Sequence, residues 1–252
     1  MRLGERALGA ARVLWTDRHG GISAGRYSSL NLGDHVGDSP PSVAENRRRV
    51  ERAVASRLIL LEEGGPEERS TPRPIVWLRQ MHGSSVHIVA SGSHPGDDAP
   101  APVADAAITD RSGVGVAVLT ADCVPLAISC DGAAGVAHAG WKGLTGGVVE
   151  ATVAELRRIG GGRVRALIGP CVHAGRYEFG AADLELVADR LGPEVIGRTD
   201  EGAPALDLPA AARVVLSRPA LRRPTSTMWA SARPRRPTTS PTGATVSPGG
   251  RR

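Results

Sequence analysis

Aromatic residues make up only 3% of the 252-residue chain, with a single Phe, so any core must be built mostly from Val, Leu, Ile and Ala. Lysine is almost absent; Lys142 stands alone among a crowd of arginines. No apolar run approaches the ~20 residues needed to cross a bilayer. The N-terminus, Met1-Arg2-Leu3-Gly4-Glu5-Arg6, has no apolar segment behind its charges and so does not read as a secretory signal. The three cysteines are too few and odd in number for a disulfide framework. Reduced thiols in a cytoplasmic protein are the resulting expectation.

Charge is unevenly spread. Residues 217–252 hold eight arginines and no Asp or Glu, so the whole-chain net charge of +5 leaves −3 for residues 1–216. The body therefore offers no basic face, and nucleic-acid binding by the folded part is not expected. The same 36 residues contain six prolines amid Ser, Thr and Arg. Proline removes a backbone donor and fixes φ, which argues against a regular helix or a central strand over most of this stretch. It reads as a disordered tail.

What is present reads as alternating short strands and helices. Residues 12–40 are loop-rich and punctuated by glycine. Ser42 and Glu45 have the spacing of a capping box at the start of a helix. Val43, Val50, Val54 and Leu58 continue that helix as an apolar stripe, with Arg47, Arg48 and Arg49 outward. Strands are expected at Ile75–Leu78, Val86–Val89, Val114–Leu119, Leu126–Ser129, Gly135–His138 and Val164–Ile168. The later ones are continuous apolar runs of the kind covered on both faces. Val148–Ile159 and Asp183–Leu191 read as helices.

Chemistry concentrates at strand ends. Cys123 in Thr-Ala-Asp-Cys-Val-Pro, His138 in Val-Ala-His-Ala-Gly-Trp and His82 in Gln-Met-His-Gly each sit beside Gly or Pro, where loops carry function on a rigid scaffold. A thiolate and two imidazoles form a ligand set for zinc or copper, with a fourth position open. The same Cys123 and His138 also suit a nucleophile and its base. Taken singly, Cys123 reads as a small buried apolar residue and His138 as a core histidine. Asp122 could orient a ligand or shuttle a proton, or simply close a turn. Cys171 and His173 lie just past a strand and could line the same rim. Cys130 reads as a bystander, His87 as half-buried, and His19 and His94 as surface residues. The segment His138–Gly147 ends a strand and opens a helix. Its free N–H groups and Lys142 would suit an anion such as phosphate, although it is not a P-loop.

Five segments together resemble a known family: Gln80-Met81-His82-Gly83, Ala104-Asp105-Ala106, Thr120–Pro125, Ala137–Trp141 and Ile168-Gly169-Pro170-Cys171. They are similar to the YfiH-like, laccase-domain proteins, also called peptidoglycan editing factors or multicopper polyphenol oxidases. Ser29–Asp38 looks like the family's N-terminal motif. The resemblance covers about residues 12–215. It implies an α+β fold, a single-domain mixed α/β sandwich related to a toxin deamidase cysteine hydrolase. The expected organisation is an N-terminal extension (1–11), the laccase domain (12–216) and the tail (217–252).

The resemblance further implies that His82, Cys123 and His138 bind zinc, or copper in some members. The implied activity is purine nucleoside phosphorolysis, on adenosine, inosine and methylthioadenosine, together with adenosine deamination. Purine nucleosides and phosphate are then the small-molecule partners, with Gln80, Gly140, Lys142 and Cys171 as candidate substrate contacts and Cys123, His138 and Asp122 as candidate catalytic groups. No membrane partner is expected, and the chain is expected to be a monomer or a homodimer. A Cys–His hydrolase acting in peptidoglycan precursor editing, or a non-catalytic metal-binding module, are the alternatives. True multicopper oxidase chemistry fits poorly, because the paired His-x-His motifs are missing. Met81 and Lys142 stand where the family usually has valine and arginine. After Leu216 the family's Cys-Thr pair and its aromatic strand ending in Arg-Arg-Asp-Gly are not found, as though the end had diverged or shifted frame.

Overall fold

The computed structural model describes residues 1–59, 74–89, 100–218, 221, 225–228 and 242–248, the backbone alone for 57–59, 225–228 and 242–248. Two mixed sheets lie face to face, with helices outside both. The five-stranded sheet contains β1 (Leu3–Leu8), β2 (Ala11–Thr16), β3 (Ile75–Val76), β6 (Gly115–Thr120) and β13 (Thr242–Pro248), ordered β1-β2-β13-β6-β3. The six-stranded sheet contains β4 (Val86–Val89), β5 (Ala106–Thr109), β7 (Val124–Asp131), β8 (Ala133–Ala139), β9 (Gly161–Ile168) and β12 (Thr225–Met228), ordered β12-β9-β7-β8-β5-β4. A small hairpin pairs β10 (Ile196–Arg198) with β11 (Pro204–Leu206). The pairs β3–β6, β4–β5 and β9–β12 are parallel and the other ladders antiparallel.

Period-2 alternation decides which core each side chain enters. In β6, Val116 and Val118 join Ala127, Val136 and Leu167 between the sheets, while Ala117 and Leu119 face α1 (Pro40–Ile59) with Leu30, Val50 and Val54. In the other sheet, Leu126, Ile128 and Ala137 face outward onto α3 (Val148–Ile159), α4 (Ala181–Leu191) and α5 (Leu208–Ser217), meeting Val149, Leu156, Val187 and Val215. Both sheets are thus covered on both faces, which is why their strands read as unbroken apolar runs. Truncating a fully buried residue such as Leu156 to Ala would cost about 2–5 kcal/mol through lost burial and the cavity left behind. The chain is the single mixed α/β sandwich its motifs imply.

Several local expectations change. Ser42 and Glu45 do not start a helix, because α1 begins two residues earlier at Pro40. The Glu45 carboxylate instead holds Arg48, Arg49 and Arg52 along the same helix at 3.0–3.1 Å. Arg47 is not simply solvated; it donates to the Leu32 carbonyl and covers the Trp77 ring. Leu58's side chain lies outside the described residues. The loop-rich reading of 12–40 missed β2, whose alternation is blurred because Val13 faces one core and Leu14 the other. Residues 3–8, expected as an extension, form β1 and pair with β2 through a turn at Gly9, which has φ +65°.

The expected disorder after Leu216 is corrected for eleven residues. Thr225–Met228 adds a parallel edge strand beside β9, and Thr242–Pro248 is a central strand between β2 and β6. Both fall in windows free of interior proline, so the backbone donors a ladder needs are present. No helix among the described residues is long and apolar enough to cross a membrane.

Candidate metal centre

Both connections that carry the first two candidate ligands cross from one sheet to the other. His82 lies between β3 and β4, and Cys123 lies in the tight passage from β6 to β7. His138 stands near the end of β8, where the register sets it opposite Pro125, two residues beyond Cys123. Topology therefore delivers all three to one rim of the sandwich. Their ligand atoms lie within 4.8 Å of one another, and the two imidazole rings meet edge to face with centroids 4.6 Å apart. His82 is exposed, Cys123 half-buried and His138 buried.

Asp105 organises the cluster, a role the sequence reading did not give it. It directly precedes β5, which pairs with β8, and its carbonyl accepts the His138 N–H at 2.7 Å. Its carboxylate lies 2.9 Å from His138 Nδ1. An ionised carboxylate only accepts, so Nδ1 carries the proton and Nε2 keeps its lone pair for a ligand. The same carboxylate accepts the consecutive N–H groups of Met81, His82 and Gly83, at 3.1, 2.8 and 2.7 Å for the closer oxygens. This nest around an anion holds His82 in the left-handed region, φ +59°, where few non-glycine residues settle. Burial opposes ionisation of Asp105, but His138 and the N–H groups of Gly83 and Met81 outweigh it and hold the carboxyl below its ordinary range. The one readable signal was an acid set among buried alanines, Ala104-Asp105-Ala106-Ala107.

The residues present fit a metal ion. One sulfur and two imidazole nitrogens are a borderline-soft donor set suited to zinc or copper. A carboxylate behind one imidazole is the usual support for such a ligand. Gly140 clears the space: a Cβ there would lie 2.8 Å from Cys123 Sγ and 3.3 Å from His82 Cδ2. Without a cation, burial and then the charges of Asp122 and Asp105 push the Cys123 thiol up to about 11. Burial, then the neighbouring His138, lowers the pKa of His82, which keeps its imidazole neutral and able to ligate.

The other candidates distribute as follows. Asp122 is exposed beside Cys123, and its carbonyl accepts the Val172 N–H at 2.9 Å, tying in the Cys171 segment. Cys171 is half-buried, its thiol pushed up to about 12 by burial and by Asp207 and Cys123. His173 is exposed. Gln80 uses both ends of its amide on the main chain of Leu119, at 2.7 and 2.8 Å, so it acts on the loop rather than facing outward. Lys142 is exposed in the short helix α2 (Trp141–Gly146), with Nζ 5.4 Å from the Trp141 ring centre. Cys130 is buried against the Leu156 carbonyl, His87 half-buried and His19 exposed. His94 lies outside the described residues.

Residues 12–228 match the family model described as multi-copper polyphenol oxidoreductase laccase. The match runs past the expected end of the resemblance near residue 215 and takes in β12. A Streptomyces coelicolor protein named purine nucleoside phosphorylase is 36% identical over 221 residues, covering 86% of this chain and 84% of that one. A Streptomyces griseus protein of the same name is 39% identical over 204 residues, covering 79% and 76%. Among solved structures, a Neisseria meningitidis protein superposes with a TM-score of 0.77 at 28% identity, covering 98% of this chain and 99% of that one.

Proposed function

The chain belongs to the multi-copper polyphenol oxidoreductase laccase family, and from that membership we propose that it is a metal-dependent purine nucleoside enzyme. The reaction we propose is phosphorolysis of purine nucleosides, adenosine, inosine and methylthioadenosine among them. The observation that carries it is the convergence of His82, Cys123 and His138 within 4.8 Å in a chain whose relatives are named purine nucleoside phosphorylases.

His82, Cys123 and His138 would hold the ion, zinc or alternatively copper. Bound there, such an ion would supply a Lewis acid and would lower the pKa of a neighbouring water. In phosphorolysis a phosphate oxygen bonds to C1′ of the ribose as the bond from C1′ to the base breaks, and the purine leaves with a proton. Asp122, exposed beside Cys123, is placed to hand over or take up that proton. Lys142, close enough to lower the His82 pKa, supplies a positive charge for the phosphate. Asp105 fixes the His138 tautomer and the His82 loop throughout. An ion held by these residues would also supply an activated water, the chemistry that deamination of adenosine at C6 needs.

A Cys–His hydrolase is less well supported. A thiol pushed up to about 11 is a weak nucleophile at neutral pH, because the thiolate is the reactive form. The test is to replace His82 or Cys123 by Ala and measure bound metal and inosine turnover together. Both should be lost. Full turnover in a metal-free Cys123→Ala protein would end the proposal, and zinc binding by the wild type without turnover on any nucleoside would make the chain a metal-binding module.

A further inference from the structure

The chain has seven aromatic residues, and three of them gather beside the metal centre. Trp141 and Phe179 meet edge to face with centroids 5.6 Å apart, and Phe179 and Tyr177 are tilted together at 5.5 Å. All three pack one side against the outer core, yet each stays partly exposed. The core itself is aliphatic, so this cluster is not what fills it.

Trp141 stands at the rim, and its ring contact brings Phe179, with Tyr177 against it, to the same side. Trp141 directly follows Gly140, whose backbone stands against Cys123 Sγ and His82. Tyr177 and Phe179 lie on an extended segment pinned to β11: the Phe179 N–H donates to the Pro204 carbonyl at 3.0 Å, and the Leu206 N–H to the Tyr177 carbonyl at 3.3 Å. Alternation along that segment turns Tyr177 and Phe179 to one side and leaves Glu178 exposed on the other.

We infer that Trp141, Tyr177 and Phe179 form the seat of the purine ring, which stacks against them while the ribose faces the His82–Cys123–His138 cluster. The inference rests on the nucleoside reading above and adds where the base goes. A planar, polarisable base matches an aromatic face. Stacking reads the ring face and not the exocyclic groups. The seat therefore accepts adenine and hypoxanthine alike, and the breadth of substrates follows from it.

The test measures kcat and KM for inosine and adenosine with phosphate in the metal-loaded protein, alongside the metal content of each variant. Trp141→Ala should raise KM roughly tenfold for both nucleosides, as loss of one base–aromatic stack does, with kcat and metal content little changed. Trp141→Phe should restore most of the affinity. Tyr177→Leu provides a second variant should Trp141→Ala fold poorly, and it should act in the same direction. If the wild type cleaves inosine but both variants keep its KM with metal bound, the seat is wrong and the nucleoside reading stands. If the metal-loaded wild type cleaves no nucleoside, the reading fails and takes the seat with it.

Discussion

The Nδ1–H of His138 donates to Oδ1 of Asp105 across 2.9 Å, and both side chains are almost wholly buried. One carboxylate thereby sets the tautomer of one ligand and, through the N–H groups of residues 81–83, the backbone of another. One ligand comes from the β3–β4 connection and the other from β8, far apart in sequence, and Asp105 is where their positions are coupled.

Replacing Asp105 should accordingly weaken metal binding without removing a ligand. Asp105→Ala leaves three consecutive N–H groups without their anion and frees the His138 ring to turn. The expected loss of metal affinity is roughly 10- to 100-fold, the range for such supporting carboxylates, measured by competition with a chelator. An affinity equal to wild type would show that the pair serves folding alone.

Gly140→Ala tests the space the ligands need. The new Cβ would stand 2.8 Å from Cys123 Sγ, inside any normal contact. Gly140 itself has φ −72°, a value open to alanine, so the backbone is not the obstacle. The variant should fold and yet bind metal weakly or not at all. Melting temperature and metal content, taken together, separate this from general destabilisation.

Thiol reactivity distinguishes ligand from nucleophile. In metal-free protein Cys123 should be alkylated by iodoacetamide more slowly at pH 7.5 than a free cysteine, with a rate that climbs toward a midpoint of about 11. The stability of the metal-free protein should follow the same group. Its folded pKa is raised above the ordinary value of 9.0, so its contribution is intact below pH 9 and is lost as the pH rises toward about 11. Cys123→Ser should remove that part of the alkaline decline. Rapid labelling at neutral pH without metal would instead favour the hydrolase.

Much of the site was legible because its residues are costly to place by chance: a cysteine and two histidines at strand ends, beside glycine and proline. The helix Val148–Ile159 was readable to the residue, since its apolar stripe faces a single sheet. Asp105 was not legible as a keystone, because nothing in an isolated Ala-Asp-Ala states which distant N–H groups it will accept. The structural part played by Gln80 was hidden for a related reason. Its amide completes a pairing with Leu119, 39 residues away, which local pattern cannot reveal. The strands after Leu216 were hidden by composition: proline and arginine dominate the average, whereas a ladder needs only a short run of intact donors.

The last of those strands carries the firmest stability prediction. Thr242–Pro248 lies between β2 and β6, with Ala244, Thr245 and Val246 paired on both sides. Removing it would leave two facing strand edges unpaired in the middle of a sheet, each a row of donors and acceptors without partners. The sheet is also the floor of the core formed by Val13, Val116 and Val118, which would open toward solvent. A chain ending at Ser240 should therefore melt well below the full-length protein and bind dye that reports exposed apolar surface. Val246→Pro should act in the same direction through the backbone alone, since it deletes one ladder donor. A truncated chain with an unchanged melting temperature would mean that β2 and β6 find their pairing without this strand, and that residues 242–252 contribute nothing to the sandwich.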